Sequence, residues 1–228
     1  SSLVASSIGK SLGCESPNYL IKGITEFNLL TGGKTILLAC LCAGISVIFC
    51  IMLHSFGKVF KTFSSNPYER VFFGGTVILC ITLILGTTRY SGTGIEVITS
   101  AIGGTARNSD FFWKMLFTAI TLACGYKGGE IIPSFFVGAT FGCVIAPVLG
   151  LSSSLGAAIG MVSVFCGVTN CPIASLLIAL ELFGKAPILY FLLAIAISYM
   201  LSGYYSLYKT QIIAVSKYKN EYVDKKIH

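Results

Sequence analysis

The sequence has little charge. Asp, Glu, Lys and Arg together make up 11% of its 228 residues, against about 25% in an ordinary soluble domain. A chain this poor in charge and 54% hydrophobic cannot cover a water-facing surface. Disorder, collagen, coiled coil and a nucleic-acid module are excluded by the same figures. It also lacks metal and nucleophile patterns. Its nine Cys form no Cys-x-x-Cys pair and mostly lie in apolar runs, where Cys behaves as a small hydrophobe. His54 stands alone, and no Ser or Cys has a base close by in sequence, which argues against an enzyme. What remains is an integral membrane protein. No cofactor is expected.

The scarcity of charge is uneven. No charged residue occurs over 23 residues from Thr35 to Gly57, 18 from Val71 to Thr88, or 23 from Ala186 to Tyr208. Each gap is close to the roughly 20 residues of one membrane span. The gap from Ile131 to Leu180 is 50 residues long. As one helix it would measure about 75 Å at about 1.5 Å per residue, against a hydrocarbon core of about 30 Å. It contains Pro133, Pro147, Gly150, Gly167 and Pro172. The stretch is therefore expected to be several short helices with breaks inside the membrane, where irregular backbone must be buried or line a watery cavity.

The expected map is all helix. A partial helix covers Ser1–Leu12, followed by an irregular segment to Lys34. Helices follow over Thr35–Phe63, Tyr68–Leu85, Ile95–Ile102, Asp110–Cys124, Pro133–Leu149, Leu151–Val168, Pro172–Phe183 and Pro187–Leu201, with a last one from about Ser206. Asn66-Pro67 ends the first long helix, and Ser109 or Asp110 starts the helix at 110. The chain is read as one transmembrane domain over residues 1–228 with a basic tail over 209–228. Because it opens on Ser1 in what reads as mid-helix, a fragment of a longer protein is expected.

Three segments carry chemistry. In Gly125-Tyr126-Lys127-Gly128-Gly129-Glu130-Ile131-Ile132-Pro133, glycines leave amides unshielded and Pro133 suits a first helical turn. Free N–H groups and the dipole at a helix start attract anions. The segment is thus either an anion site or a plain glycine loop before a helix. In the second, Thr169-Asn170-Cys171-Pro172, a break is expected in which Thr169 and Asn170 cap the new helix. Glu181 follows, as a functional intramembrane carboxylate or as half of an interfacial pair with Lys185. The third, Ser202 to Lys209, holds Tyr204, Tyr205 and Tyr208 at a membrane end, where tyrosines commonly form an aromatic belt.

Lys127-Gly-Gly-Glu-Ile-Ile-Pro133 with Phe136-Val-Gly-Ala-Thr-Phe-Gly142 resembles the Gly-x-Phe-x-Pro region of the CLC chloride channel and transporter family. Arg89 to Ile95, Thr169 to Phe183 and Ser202 to Tyr208 resemble that family in the same order. The resemblance covers essentially the whole chain and implies the C-terminal half of a prokaryotic CLC protein. That means an all-α membrane fold of broken, tilted helices forming half of an inverted repeat.

It implies chloride transport, as a voltage-gated channel or a chloride/proton antiporter. The anion would be bound at Gly128, Gly129, Glu130 and Ile131 through backbone amides and at Tyr208 through its hydroxyl. Pro133, Asn170 and Pro172 would set the helix breaks. It further implies a homodimer in the lipid bilayer of the inner membrane, no nucleic acid, and a cytoplasmic C-terminus. Lys58, Lys61 and Arg70, and the tail's Lys209, Lys217, Lys219, Lys225 and Lys226, fit a cytoplasmic side by the positive-inside rule.

The sequence departs from the family pattern at Ile131, where Phe is usual, and at Glu130, whose side chain must turn away from a bound anion. The family's gating Gly-Arg-Glu-Gly segment and a Ser-containing loop have no counterpart here. Gly-Gly-Glu-x-x-Pro is also similar to the fluoride-exporting branch, although that branch tends to carry Thr where this chain has Ile132. Fluoride is thus placed below chloride. A membrane half-protein that no longer transports is the reading from a different class.

Overall fold

The computed structural model describes residues 4, 8–9, 11–13, 19–24, 27–63, 66–208, 210–217 and 222–226. Eight α-helices are present among them. They are α1 (Leu29–Phe63), α2 (Pro67–Leu85), α3 (Ile95–Ile102), α4 (Asp110–Cys124), α5 (Ile131–Ile145), α6 (Ser153–Thr169), α7 (Pro172–Phe183) and α8 (Ile188–Leu201). A 3₁₀ turn, Ala146–Leu149, prolongs α5. Of the expected Ser1–Leu12 helix, Val4, Ile8, Gly9 and Ser11 are helical.

The 50-residue uncharged stretch is broken as its length demands. At 15, 17 and 12 residues, α5, α6 and α7 measure about 22, 25 and 18 Å, each short of the bilayer core. Only α1, α2 and α5 with its 3₁₀ extension are long and apolar enough to cross by length, among the described residues.

α6 lies at the centre. Nearly all of its residues are buried, and α1, α5 and α8 pack round it. Its closest neighbour is α5, because glycines meet. A Cβ on Gly138 would sit 2.4 Å from the Gly160 carbonyl oxygen, and one on Gly142 2.1 Å from that of Gly156. Both glycine pairs are spaced four apart, the small-residue pattern that lets helix backbones touch in membranes.

Several boundaries differ from expectation. α1 begins at Leu29 instead of Thr35, so Lys34 is helical; its ammonium reaches the Gly150 carbonyl at 3.1 Å, a snorkelling contact. α5 begins at Ile131, two residues before Pro133. Proline is tolerated there because first-turn N–H groups have no intrahelical acceptor. The helix expected from Ser206 does not form. Leu207 N–H and the Ser206 hydroxyl both donate to the Val168 carbonyl, at 2.9 and 3.1 Å, so this backbone serves the end of α6. Beyond it, β1 (Ile212–Val215) pairs antiparallel with β2 (Tyr222–Lys226). Lys209 and Lys219, counted in the basic tail, lie outside the described residues.

Candidate functional site

The site is built where α4 ends and α5 begins. Gly125, at φ 102°, terminates α4 with its N–H on the Leu122 carbonyl. This is the left-handed stop that glycine allows. The chain then runs through Gly128 and Gly129 into α5. Glu130 is the N-cap, with no side-chain cap bond. The Ile131 and Ile132 N–H groups have no acceptor among the described residues. They stand at the positive end of the helix dipole.

The motif divides between two cavities. Gly128, Gly129 and Pro133 line one of about 150 Å³, together with Tyr90, Ser91, Gly92 and Lys114. Glu130 lines another of about 270 Å³ with His54, Lys61 and Leu207. Its carboxylate-bearing residue is thus absent from the first cavity's lining. Ile131 begins α5 and is 41% exposed.

Lys114 is the residue that sequence reading missed. It is 3% exposed in the middle of α4. Its ammonium donates to the carbonyls of Tyr90 at 3.1 Å and Gly92 at 2.5 Å, and lies 5.2 Å from the Phe136 ring centroid. No carboxylate is within ion-pair distance of it among the described residues. One turn earlier, the fully buried Asp110 accepts from Arg89 Nη2 (3.0 Å), Tyr90 Oη (2.7 Å) and the Arg107 N–H (3.2 Å). These bonds tie Arg89, Tyr90 and Arg107 to the start of α4. The available signal was a Lys four residues after an Asp within an apolar helix, since intramembrane charges mark function by default.

Tyr208 is 42% exposed. Its N–H donates to the Ser206 hydroxyl at 3.3 Å, and its own hydroxyl has no hydrogen bond among the described residues. Leu207, its neighbour, reaches the Glu130 cavity.

Asn170 does not cap α7. It ends α6 in the left-handed conformation at φ 56°, and Cys171 is the N-cap of α7 without a side-chain bond. The Asn170 amide instead donates to the Tyr205 carbonyl at 2.8 Å and accepts from Lys217. Thr169 turns back to the Phe165 carbonyl at 2.8 Å. Pro172 opens α7 as its composition suggests. Glu181 and Lys185 are both exposed and form no ion pair among the described residues.

Broken apolar helices, a helix start whose amides lack acceptors and a buried ammonium describe a membrane protein. The family model for voltage gated chloride channels matches residues 1–203, and the chain belongs to that family. A "Chloride/fluoride channel protein" of Pseudomonas syringae pv. tomato is 32% identical over 227 residues, 95% of this chain and 49% of that protein. The crystal structure of a CLC-type fluoride/proton antiporter is similar with a TM-score of 0.85 at 27% identity, over 90% of this chain and 52% of the other. This chain therefore spans about half the length of both relatives.

Proposed function

We propose that this chain is the C-terminal half of a CLC-type transporter that moves a halide across the inner membrane, fluoride before chloride. The observation that carries the reading is the unpaired Ile131 and Ile132 amides at a helix start beside the Gly128–Gly129–Lys114 cavity. Amides at the positive end of a dipole and one uncompensated ammonium favour a small anion. In this reading the anion lies against the amides of Gly128 to Ile131, and Tyr208 supplies a hydroxyl when the other half of the pathway is in place. A homodimer with cytoplasmic tails belongs to the same proposal.

The sequence alone put chloride first. Fluoride moves ahead because the names of both relatives include it. The test is efflux from liposomes carrying the full-length protein, followed with fluoride and chloride electrodes. Fluoride efflux faster than chloride supports the order. Chloride efflux alone overturns it, and efflux of neither supports the half-protein that does not transport.

A further inference from the structure

The tail is fastened to the segment that carries Tyr208, and Lys217 makes the fastening. Its ammonium donates to Asn170 Oδ1, to the Tyr199 carbonyl at 2.8 Å and to the Ser202 hydroxyl at 3.3 Å. It also stands 4.2 Å from the Tyr199 ring centroid. An ammonium has three donors, and these three acceptors use them all. No carboxylate is within ion-pair distance of it among the described residues. Asn170 closes α6, Tyr199 lies in the last turn of α8, and Ser202 caps α8. One side chain from the tail therefore joins two helix ends.

Two connections run from this cluster to Tyr208. The Asn170 amide that Lys217 holds donates to the Tyr205 carbonyl at 2.8 Å. Gln211 Nε2 donates to the Thr169 carbonyl at 3.3 Å, and Gln211 Oε1 accepts from the Ser206 hydroxyl at 2.7 Å. That hydroxyl accepts from the Tyr208 N–H at 3.3 Å, and the Tyr208 carbonyl accepts from the Gln211 N–H at 3.1 Å. Both main-chain groups of Tyr208 are thus bound to residues that the tail and α6 hold in place. The Tyr204 and Ser216 hydroxyls meet at 3.0 Å across the same seam. Removing the ammonium would leave Asn170 Oδ1 and the Tyr199 carbonyl without this donor, a loss that disfavours the docked tail.

We propose that the tail is a latch on the anion path, with Lys217 as a positioning residue for the Tyr208 hydroxyl. Lys217 docks the tail on Asn170, and Asn170 and Gln211 carry the constraint to residues 205–208. The latch itself stands on these hydrogen bonds. Its effect on the ion rests on the transport reading above.

Two measurements on the full-length protein test it. The first needs no transport. 3-Fluorotyrosine placed at position 208 and read by fluorine NMR in detergent reports the surroundings of the phenol. Lys217→Gln should move or split the resonance. A protein ending at Gln211, which removes the hairpin altogether, should give the same change. Lys58→Gln, a loss of charge on α1, should give none. A resonance left unmoved by both tail changes overturns the latch, and so does one that Lys58→Gln moves equally.

The second is the fluoride-to-chloride efflux ratio in liposomes, measured in a double-mutant cycle with Tyr208→Phe. Lys217→Gln alone should shift the ratio several-fold toward chloride, as Tyr208→Phe does. In the Tyr208→Phe background it should shift the ratio no further, because residues acting through one group are not additive. Effects that multiply overturn Lys217 as a positioning residue for Tyr208. So does a fall of both efflux rates at constant ratio, which is what a merely structural role would give. If the unaltered protein moves no halide, the transport reading fails while the NMR still decides the latch.

Discussion

At the residue scale, the candidate anion site depends on main-chain donors more than on side chains. The proposal gives two side chains a part in it, Lys114 and Tyr208. Lys114 is held by two carbonyls and an aromatic face, so its charge is delivered to a fixed place. Tyr208 is different. Its hydroxyl is uncommitted and its ring is half-exposed, so it is free to contribute one O–H to an anion. Tyr208→Phe in the full-length protein should leave folding intact, because no hydrogen bond within the described residues is lost. Anion preference in liposome flux should shift toward the less strongly hydrogen-bonding halide, with chloride gaining on fluoride several-fold. An unchanged preference removes Tyr208 from the site.

At the element scale, the contact of α5 with α6 fixes where the helix start points. Gly160→Ala would place its Cβ 2.3 Å from the Gly138 carbonyl oxygen, and backbone cannot give way as a side chain can. Overpacking of this kind costs about 1–3 kcal/mol. The thermal midpoint of the detergent-solubilised protein should fall, whereas Gly33→Ala, with open space around it, should change it little.

A second element-scale feature is the tail. Lys217 reaches back to Asn170, to the Tyr199 carbonyl at 2.8 Å and to the Ser202 hydroxyl at 3.3 Å, over the Tyr199 ring. Burial lowers its pKa from 10.5 to about 8. The docked state therefore binds fewer protons than the undocked one between these values, and docking strengthens as pH rises through that window. Amide exchange at Gln211–Ser216, corrected for base catalysis, should slow on going from neutral to alkaline pH. In Lys217→Met that pH dependence should vanish.

The sequence showed much of this scale and missed part of it. Charge gaps and Gly/Pro breaks located α3, α4 and α7 to the residue, because such signals are local. The glycine contacts between α5 and α6 were not legible, since spacing on one helix does not name its partner. The strand after Ser206 was read as helix because an apolar tyrosine-rich run carries no sign that α6 will claim its backbone. Lys114 was hidden for a similar reason: only the fold brings it to Gly128 and Gly129.

At the scale of the whole molecule, the polar groups sort to two faces. Arg89, Arg107 and Glu96 gather round one large cavity, while Lys58, Lys61 and Arg70 lie at the opposite ends of α1 and α2. The tail, with Lys217, packs on the ends of α6 and α8. The arrangement predicts opposite labelling by a membrane-impermeant maleimide. With Cys80 and Cys171 changed to Ser, Asn108→Cys should react from outside intact cells and Thr210→Cys only after permeabilisation. Reaction of both from one side would contradict the proposed orientation.

The glycine contact between α5 and α6 has a further consequence, for how such a protein changes over generations. Where main-chain amides hold the ion, a change at Ile131 alters only a side chain and leaves the donors in place. A change at Gly138, Gly142, Gly156 or Gly160 moves the donors themselves. Remote glycines that never touch the ion would then govern ion choice through drift more than the Ile131 side chain beside it.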